Sequence, residues 1–512
     1  MCELRIGARF GTARVNIGVL TILALLAGSL LLDALARPRV AQRPWLRSGA
    51  GMALLFAAAG LPLGLCMALG GNLHVSAGLA LALVGLFTMI SNAKRAMLGE
   101  ALVFSDLALL GAVFRHPQFY FSALTRAQKL LLAAAAPVVP LLLWFTREPG
   151  LALHLAGALV FAGCAGAIAL LVRLAPWSRL ATLPDSEGDV LRHGLIPTVL
   201  LHWLRWRTTP DPVAPGALPH RRTEDEIVII VQCESFADPV DLLGDAAQAL
   251  PGLEAAREAA WQHGRLQVHG FGAYTMRTEY GVLFGRSEEE LGFRRFDPYL
   301  TAKGEGAHAL PARLAASGWK GLFLHPHDMR FYNRAEILMA AGFTDLVGED
   351  RFDAPREGEG RYVTDAAITR ELISLARDCA QPTLLYAVTI ENHGPWTNAE
   401  SYLRLLRHGD AMLHDLMAEL SAMRRPATLV FFGDHRPSIP GVTAPGGERH
   451  TPYVIVRFDA EGRPIRRGDS QDLPPAGLHH AVLNLLAGPV SAPAISAADP
   501  TAPAGARAPT GG

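Results

Sequence analysis

Four short apolar runs in the second half of the chain each end in residues of the types that bind metal ions. The residues that follow the runs are, in order, Glu234; His325 and His327; Glu391, Asn392 and His393; and Asp434 and His435. Carboxylates and imidazoles are the usual protein ligands of divalent cations. A single acidic or histidine residue after a strand is more often a turn or capping residue. The four ends together predict a metal site, provided that the fold brings them to one place.

A glycine-rich segment between the first two runs supplies a hydroxyl group. Residues 272–285 are GAYTMRTEYGVLFG, and Thr275 begins a stretch that has a helical pattern. The N-terminus of a helix favours an anionic phosphate or sulfate. On local sequence alone, an N-cap is the simpler interpretation of Thr275. Beside a metal ion a threonine hydroxyl becomes a workable nucleophile, so the two patterns predict metal-assisted ester chemistry.

The apolar runs are the strands that must position these residues. They are Glu226–Cys233, Gly321–Leu324, Thr383–Ile390 and Thr428–Phe432. Helical patterns lie between them, over Leu253–His263, Leu310–Ser317, Asp365–Cys379 and Ala399–Met423. This alternation predicts an α/β fold with a mostly parallel central sheet, whose strands end at one ligand-binding crevice.

The first third of the chain has the composition of a membrane anchor. Five apolar stretches approach the ~20 residues that a helix needs to cross a bilayer: Val15–Leu35, Ala50–Leu69, Val75–Ile90, Leu130–Phe145 and Leu151–Leu171. A cleavable signal peptide is the alternative for the first stretch. That stretch has no clear small-residue cleavage site, and four more follow it. Five spans would place the two ends of the chain on opposite sides of the membrane.

The basic residues give conflicting evidence on orientation. Arg5, Arg9 and Arg14 precede the first span and favour a cytoplasmic N-terminus. The first and third loops carry more positive charge: Arg37, Arg39, Arg43, Arg47, Lys94, Arg95, Arg115, Arg126 and Lys129. We expect a multi-pass protein of a bacterial inner or cell membrane whose soluble half faces the periplasm or the exterior, because the first span often dominates. The basic loops could instead hold anionic lipid headgroups.

Composition divides the chain into four segments: a five-helix membrane anchor (1–176), an interfacial helix and linker (177–222), a soluble α/β domain (223–487) and a disordered tail (488–512). Trp203 and Trp206 lie among arginines, which is typical of an interfacial helix; packing of this helix on the soluble domain is the alternative. The formal net charge of zero argues against nucleic acid as the main partner.

The order and spacing of the motifs resemble the lipoteichoic acid synthase and membrane phosphoglycerol transferase family, which lies within the sulfatase and alkaline phosphatase superfamily. The resemblance spans most of the chain, including the anchor and the stretch SNAKRAMLGEALVFSDL. In the soluble domain it covers, in order, ES, TMRTE, HPHDMRFYNR, ENHGPW and GDHRP. It implies an alkaline-phosphatase-like (sulfatase-like) fold.

The resemblance also implies roles for individual residues. Those that match the family's metal ligands are Glu234, Asp434 and His435, together with Thr275, which matches the nucleophile that also touches the metal. Thr278 is the alternative nucleophile. Those that match its phosphoglycerol-binding residues are His325, Tyr332, Arg334 and His393. Tyr332 departs from the tryptophan common in the lipoteichoic acid enzymes, which leaves the headgroup open. His450, in ERHTPYVIV, is a further candidate for a metal or substrate histidine.

One divalent ion is expected, and the resemblance favours manganese, although magnesium and zinc suit the same ligands. The leading hypothesis is a transferase that moves phosphoglycerol from phosphatidylglycerol to an extracytoplasmic glycan or glycolipid, through a covalent threonine intermediate that the resemblance implies. One alternative is a phosphodiester hydrolase. Sulfate ester cleavage is disfavoured, because the segment around Thr275 has no CxPxR-type motif. The other alternative, a non-catalytic transporter or sensor, is disfavoured because the spans hold almost no central ionisable residues.

Overall fold

The structure is a computed structural model of the chain. It describes residues 2–38, 47–108, 126–174, 177–216, 218, 226–355, 360–445 and 447–487. The predicted disordered tail lies outside the described residues, as does most of the basic end of the predicted linker.

Four helices of the described part are long and apolar enough to cross a membrane. They are the segment Ile17–Ala34 of helix Cys2–Ala34, and the helices Gly49–Gly70, Leu73–Leu98 and Leu151–Leu171. They coincide with four of the five predicted spans. Most of their surface is exposed to the surroundings of the protein, which a lipid environment tolerates and water does not.

The remaining predicted span, Leu130–Phe145, lies within helix Arg126–Phe145. This helix contains Pro137 and Pro140 and exposes Trp144 and Phe145. Proline is tolerated in membrane helices, where neighbouring groups satisfy the freed backbone carbonyls. Its role as a fifth span stays a prediction.

Glycines bring two of the membrane helices into close contact. Gly64 and Gly157 lie at the crossing of Gly49–Gly70 with Leu151–Leu171, and a Cβ atom on either would collide with the backbone of the other helix. Small residues of this kind are typical of membrane helix interfaces, because they let dispersion contacts form along the backbone.

An eight-stranded sheet forms the soluble domain. Its strands are β1 (Ile227–Cys233), β2 (Gln262–Leu266), β3 (Lys320–Leu324), β4 (Asp345–Val347), β5 (Thr383–Val388), β6 (Ala427–Gly433), β7 (Thr451–Phe458) and β8 (Asp469–Ser470). Their order is β4-β3-β5-β1-β6-β7-β2-β8. The four predicted strands correspond to β1, β3, β5 and β6, and they pair in parallel in the centre of the sheet. The predicted α/β class and mostly parallel sheet are therefore confirmed.

Helices cover both faces of the sheet, so the central strands are apolar throughout. The two core layers take alternate residues of β1: Ile227, Ile229 and Val231 face one layer, and Val228 and Ile230 face the other. The first layer contains the helices Pro251–Ala259, Asp365–Asp378 and Ala399–Ala422. The second contains Thr275–Phe284, Leu310–Ala315, Arg334–Ala340 and Pro475–Ala487. Shorter helices are Phe104–Ala108, Ser186–His193, Pro239–Leu243, Glu288–Leu291 and Pro298–Thr301.

One predicted boundary is wrong. The helix expected over Leu253–His263 spans Pro251–Ala259, and His263 belongs to edge strand β2. The polar sequence QHGRL lacks the alternating apolar pattern of a half-buried strand, and only its last residue is buried.

A junction helix, Leu195–Thr208, packs between the membrane helices and the soluble domain. The Leu195 N–H donates to Asp33 Oδ1 (2.8 Å), at the end of the first span. Trp206 stacks on Phe104 (ring centroids 5.5 Å apart) and donates from Nε1 to the Thr301 carbonyl oxygen (2.9 Å). Trp203 is 42% exposed, and its location in a membrane interface stays a prediction.

Candidate functional site

The carboxyl ends of β1 and β6 bring together three of the predicted metal ligands. Glu234, Asp434 and His435 are buried and offer one ligand atom each, and these atoms all lie within 4.8 Å of one another. His435 Nε2 lies 3.4 Å from Glu234 Oε1 and 3.5 Å from Asp434 Oδ2. Because β1 and β6 are parallel neighbours, the residues after both strands meet at the same edge of the sheet.

Backbone and hydroxyl donors hold these carboxylates in place. Asp434 Oδ1 accepts from the N–H groups of Ser235 (2.8 Å) and His435 (2.9 Å). The Ser235 hydroxyl donates to Glu234 Oε1 (2.9 Å). Ser235 has a φ of 53°, in the left-handed region, which strains a residue with a side chain. The strained turn points the Ser235 N–H at Asp434.

The electrostatics of the cluster favour a bound cation. Burial and the nearby Glu234 carboxylate raise the pKa of Asp434. Burial lowers the pKa of His435, but Asp434 and Glu234 outweigh it and raise that pKa to about 9. Two buried carboxylates side by side repel each other, so positive charge between them, from protons or from a metal ion, would be stabilising.

One carboxylate oxygen of Asp434 lacks a hydrogen-bond partner in the described part of the chain, which indicates whether the site fits a metal ion. Asp434 Oδ2 is buried and makes no hydrogen bond of ordinary geometry with the described residues. A buried carboxylate oxygen without a partner costs free energy. A divalent cation would supply that partner, and a donor set of carboxylate oxygens and one imidazole suits manganese, magnesium or zinc. The residues present therefore fit a metal ion, without selecting which one.

Thr275 lies beside this cluster as the first residue of helix Thr275–Phe284. Its side chain is 9% exposed, and its hydroxyl, which faces the Asp434 carboxylate, lowers the pKa of that carboxyl. The preceding residue, Tyr274, has a φ of 73°, so a left-handed turn leads into the helix. The helix N-terminus and the cluster thus adjoin the same hydroxyl.

Thr278, the alternative hydroxyl, is engaged elsewhere. It is fully buried and donates to the Asp434 carbonyl oxygen (2.7 Å). This hydrogen bond ties the helix to the loop that carries Asp434 and His435. The Thr278 hydroxyl is therefore engaged in a structural hydrogen bond, whereas the Thr275 hydroxyl faces the cluster.

The predicted substrate histidines continue the site from β3 and β5. His325 Nδ1 lies 2.9 Å from the Val388 carbonyl oxygen, and because a carbonyl only accepts, Nδ1 carries the proton. Burial and the Arg334 guanidinium hold the pKa of His325 well below its usual range. His325 is therefore neutral, with an Nε2 that accepts a hydrogen bond. His393 Nδ1 lies 2.8 Å from the Gly394 carbonyl oxygen, and its ring lies near Glu234.

Arg334 cannot offer its whole guanidinium group to a substrate. Its Nε and Nη2 donate to the two carboxylate oxygens of buried Glu279 (3.1 and 2.7 Å). Glu279 also accepts from the Tyr299 hydroxyl (2.6 Å). The Tyr332 ring lies 5.3 Å from the Arg334 guanidinium carbon. Two of the three guanidinium nitrogens of Arg334 are thus occupied by a carboxylate.

Tyr362 is a site residue that the motifs do not include. Its ring lies 6.5 Å from that of His327 and 5.7 Å from that of His393. Its hydroxyl is buried without a hydrogen bond of ordinary geometry among the described residues. Burial raises the pKa of Tyr362, and nearby Glu234 adds to that rise. No sequence signal identifies this residue, because it precedes helix Asp365–Asp378 in an unremarkable loop.

A groove opens beside Tyr362 and His393. We call it the arginine groove; it is lined by Gly360, Arg361, Tyr362, Glu391, His393, Gly394, Pro395, Trp396, Thr397, Ser401, Arg404 and Leu405. Arg361 and Arg404 are exposed, and Trp396 and Tyr362 supply aromatic surface. Cations, aromatic faces and hydroxyls together suit a polar, anionic or sugar-like ligand.

His450, the further candidate, lies in a second acidic group with Asp241 and Glu448. There Arg436 Nη2 contacts both Asp241 Oδ2 and His450 Nε2, so the charge of Asp241 is already paired. This group does not join the cluster of Glu234, Asp434 and His435.

Comparison with known proteins identifies the family of the soluble domain. The sulfatase family model matches residues 226–486. A Rhizobium meliloti (strain 1021) protein described as "Capsular polysaccharide biosynthesis protein RkpI" is 29% identical over 408 residues, which cover 72% of this chain and 75% of that protein.

Two solved structures match this chain over half of its length or more. The Streptococcus pyogenes phosphoglycerol transferase GacH, in complex with sn-glycerol-1-phosphate, is 20% identical, with a TM-score of 0.42; the match covers 52% of this chain and 76% of that one. The integral membrane lipooligosaccharide phosphoethanolamine transferase A of Neisseria meningitidis is 14% identical, with a TM-score of 0.47; the match covers 86% of this chain and 95% of that one.

Proposed function

Because this chain belongs to the sulfatase family, as an enzyme of the alkaline phosphatase superfamily, we propose that it is a membrane-bound, metal-dependent phosphoglycerol transferase. It would move phosphoglycerol from phosphatidylglycerol to an extracytoplasmic glycan or glycolipid. The observation that carries the proposal is the Thr275 hydroxyl, which begins a helix and faces the buried cluster of Glu234, Asp434 and His435. The chain also bears membrane helices, which would hold this site near a lipid donor.

In the proposed metal site, Glu234, Asp434, His435 and Thr275 would hold the ion. The chemistry that a divalent cation supplies in such a site is a lower pKa for the hydroxyl and partial neutralisation of the phosphoryl oxygens. Thr275 Oγ1 then attacks phosphorus, forming the Oγ1–P bond as the bond from phosphorus to the diacylglycerol oxygen breaks. The N-terminal backbone N–H groups of helix Thr275–Phe284 favour the anionic phosphoryl group next to them.

The two substrate histidines would have different roles, headgroup binding for His325 and proton transfer for His393. His325 is neutral and accepts at Nε2, which suits a hydrogen bond from a glycerol hydroxyl. His393 lies beside Glu234 and is the better-placed group to give a proton to the leaving diacylglycerol oxygen. In the second step it would take a proton from the acceptor hydroxyl as the acceptor oxygen bonds to phosphorus and Thr275 is released.

Arg334 and Tyr332 would line the headgroup site. Arg334 would not bind the phosphate through two parallel hydrogen bonds. Glu279 occupies Nε and Nη2 of Arg334, so one nitrogen, Nη1, remains for a substrate oxygen. A buried ion pair of this kind holds the guanidinium in one orientation.

The arginine groove would receive the acceptor. It adjoins His393, and its cations and aromatic faces suit a glycan that carries phosphate or other anionic groups. The description of the Rhizobium relative as a capsular polysaccharide biosynthesis protein agrees with a glycan acceptor.

The test is release of diacylglycerol from headgroup-labelled phosphatidylglycerol by the detergent-purified full chain with manganese. Thr275→Ala should abolish release and should also prevent the label from becoming covalently attached to the protein. Chelation should abolish release reversibly, with zinc, magnesium and manganese compared on re-addition.

Full release by Thr275→Ala would contradict the threonine mechanism. Release of free glycerol phosphate as the main product, even in the presence of glycan, would instead favour a phosphodiester hydrolase. Metal-loaded protein that leaves phosphatidylglycerol intact would mean that the donor is another ester.

A further inference from the structure

The loop after the third membrane helix contacts the helix that begins at Thr275. Glu100, which follows helix Leu73–Leu98, accepts from both Nη1 and Nη2 of Arg277 (2.9 and 3.0 Å). The Arg277 side chain is 4% exposed and that of Glu100 is 20% exposed. Paired N–H···O bonds between a guanidinium and a carboxylate fix direction as well as distance. A residue of the membrane part therefore sets the orientation of a side chain two positions from Thr275.

Arg277 in turn holds the turn that precedes Thr275. Its guanidinium carbon lies 4.0 Å from the centroid of the Tyr274 ring, and its Nε donates to the Phe296 carbonyl oxygen (3.2 Å). Tyr274 is in the left-handed region, which costs a residue with a side chain free energy unless its surroundings hold it there. The cation over the ring is such a restraint.

The loop that contains Glu100 is itself held to helix Leu73–Leu98. Lys94 Nζ contacts Asp106 Oδ2 (2.6 Å), which also accepts from the Val103 N–H (2.8 Å). The Leu102 N–H donates to the Ser91 hydroxyl (3.1 Å). The loop is thus a fixed support and not a loose connection.

Glu100 is ionised where this contact is made. Burial raises the pKa of Glu100, but the Arg277 guanidinium, with smaller effects of Lys94 and Arg449, outweighs burial and lowers the pKa to about 2. Arg449 adds a weaker contact, with Nη1 3.8 Å from Glu100 Oε1. The charge that orients Arg277 therefore persists through the neutral pH range.

We propose that Glu100 is a positioning residue for catalysis: through Arg277 and Tyr274, the membrane part of the chain sets the position of the Thr275 hydroxyl. This inference rests on the proposed role of Thr275 as nucleophile. It implies that the membrane helices are more than an anchor, because the soluble domain alone would have Thr275 without the residue that orients it. A small displacement of a nucleophile slows attack strongly, even when the substrate still binds.

The experiment compares Glu100→Gln with Glu187→Gln in the full chain. Glu187 is the matched control. It pairs with Arg95 of helix Leu73–Leu98, the helix that precedes Glu100 (2.6 Å), but makes no described contact with the segment around Thr275. Glu100→Gln should lower kcat for diacylglycerol release about tenfold or more, while KM and metal content match those of Glu187→Gln and both variants stay folded at the assay temperature. Arg277→Gln should have a similar effect, and the double variant should be little worse than either single variant.

A kcat for Glu100→Gln within about twofold of the control would overturn the inference, as would a loss of kcat that follows a loss of metal or of folded protein. Additive effects in the double variant would also overturn it. Thr275→Ala is run in parallel: if it is inactive while Glu100→Gln is fully active, only the positioning role fails. If Thr275→Ala is active, the threonine mechanism and this inference both fail. Bis(p-nitrophenyl) phosphate serves as a second substrate, so that a wrong lipid donor still leaves kcat measurable.

Discussion

Thr275 and Thr278 lie one turn apart on the same helix, yet their hydroxyls face different partners. The hydroxyl of Thr278 donates a hydrogen bond to the carbonyl oxygen of Asp434, whereas that of Thr275 faces the carboxylate of the same residue. A spacing of three residues makes both plausible in sequence. Only the three-dimensional position of Asp434 distinguishes the two hydroxyls.

This difference predicts opposite profiles for two matched substitutions. Thr278→Val leaves the buried Asp434 carbonyl oxygen without its donor, so it should lower the free energy of unfolding by about 1–3 kcal/mol and slow the donor reaction only in part. Thr275→Val should abolish diacylglycerol release with little change in stability. Urea unfolding and lipid release, measured on both variants, check this. Activity that survives in Thr275→Val and vanishes in Thr278→Val would exchange the two roles.

His479 predicts part of the acid sensitivity of the soluble domain. Burial, with a smaller effect of His480, lowers the pKa of His479 to about 3, while its Nδ1 lies 3.0 Å from the Val282 carbonyl oxygen. Below pH 6.5, the ordinary pKa of histidine, the unfolded chain binds a proton at His479 and the folded state does not. The free energy of unfolding therefore falls as the pH falls from 6.5 towards 3.

His479→Asn keeps a donor for Val282 and removes the titrating group. Between pH 7.5 and pH 5 the wild type should lose about 2 kcal/mol more than this variant, given about 1.4 kcal/mol per pKa unit. Urea unfolding followed by tryptophan fluorescence measures the difference. Parallel losses in the two proteins would mean that His479 is protonated in the folded state.

At the scale of elements, the central strands were predictable because they are apolar throughout and end in polar residues. The edge strand β2 was not, since QHGRL has three half-buried residues and no alternation. The same limit applies to the site. The metal-type residues follow predictable strands, but the pairing of Arg334 with Glu279 joins positions 55 apart. Tyr362 enters the site through tertiary packing alone, which no local pattern encodes.

The arginine groove gives a prediction that separates donor from acceptor chemistry. Arg361→Ala and Arg404→Ala should each lower transfer to an anionic glycan about tenfold, which corresponds to the loss of one hydrogen bond to a charged group. Release of diacylglycerol should stay near the wild-type rate. Arg407→Ala is the control, because Arg407 lies one turn further along the same helix and donates to Gln248 Oε1 (2.9 Å). Equal effects of all three changes would exclude the groove as the acceptor site.

The junction helix offers two tryptophans in contrasting positions. Trp206 packs on Phe104 and donates to Thr301, whereas Trp203 is 42% exposed. Trp206→Ala should therefore lower stability by about 3 kcal/mol, and Trp203→Ala by less than about 1 kcal/mol. Thermal unfolding in detergent measures both. A larger loss for Trp203 would indicate that this side chain is buried against something other than the described residues.

At the scale of the whole molecule, contacts at the ends of the membrane helices define two sides. The end of the first span lies against the junction helix on the side of the soluble domain, through Asp33 and Leu195. On the far side, the Glu148 N–H donates to the Gly70 carbonyl oxygen (2.9 Å). Helices that alternate between these sides place the N-terminus opposite the soluble domain.

The ion pairs account for part of the conflict between the basic loops and an external domain. Arg47 pairs with Asp33, Lys94 with Asp106 and Arg95 with Glu187, all on the side of the soluble domain. The positive-inside rule concerns lysines and arginines that resist translocation. These basic residues form ion pairs at the junction between the membrane helices and the soluble domain. Their number is therefore weak evidence that the loops lie in the cytoplasm.

We therefore predict that the soluble domain faces the periplasm or the exterior, and two single cysteines test this in a background whose native cysteines are replaced by alanine. Asp415→Cys lies on the soluble domain, where the Asp415 side chain is 62% exposed, and Arg147→Cys lies in the exposed turn near Gly70. A membrane-impermeant maleimide should label position 415 in cells with an intact inner membrane, and position 147 only after lysis. The reverse pattern would put Thr275 in the cytoplasm. An extracytoplasmic acceptor would then be unreachable, and a hydrolase or transferase acting on an internal substrate would take its place.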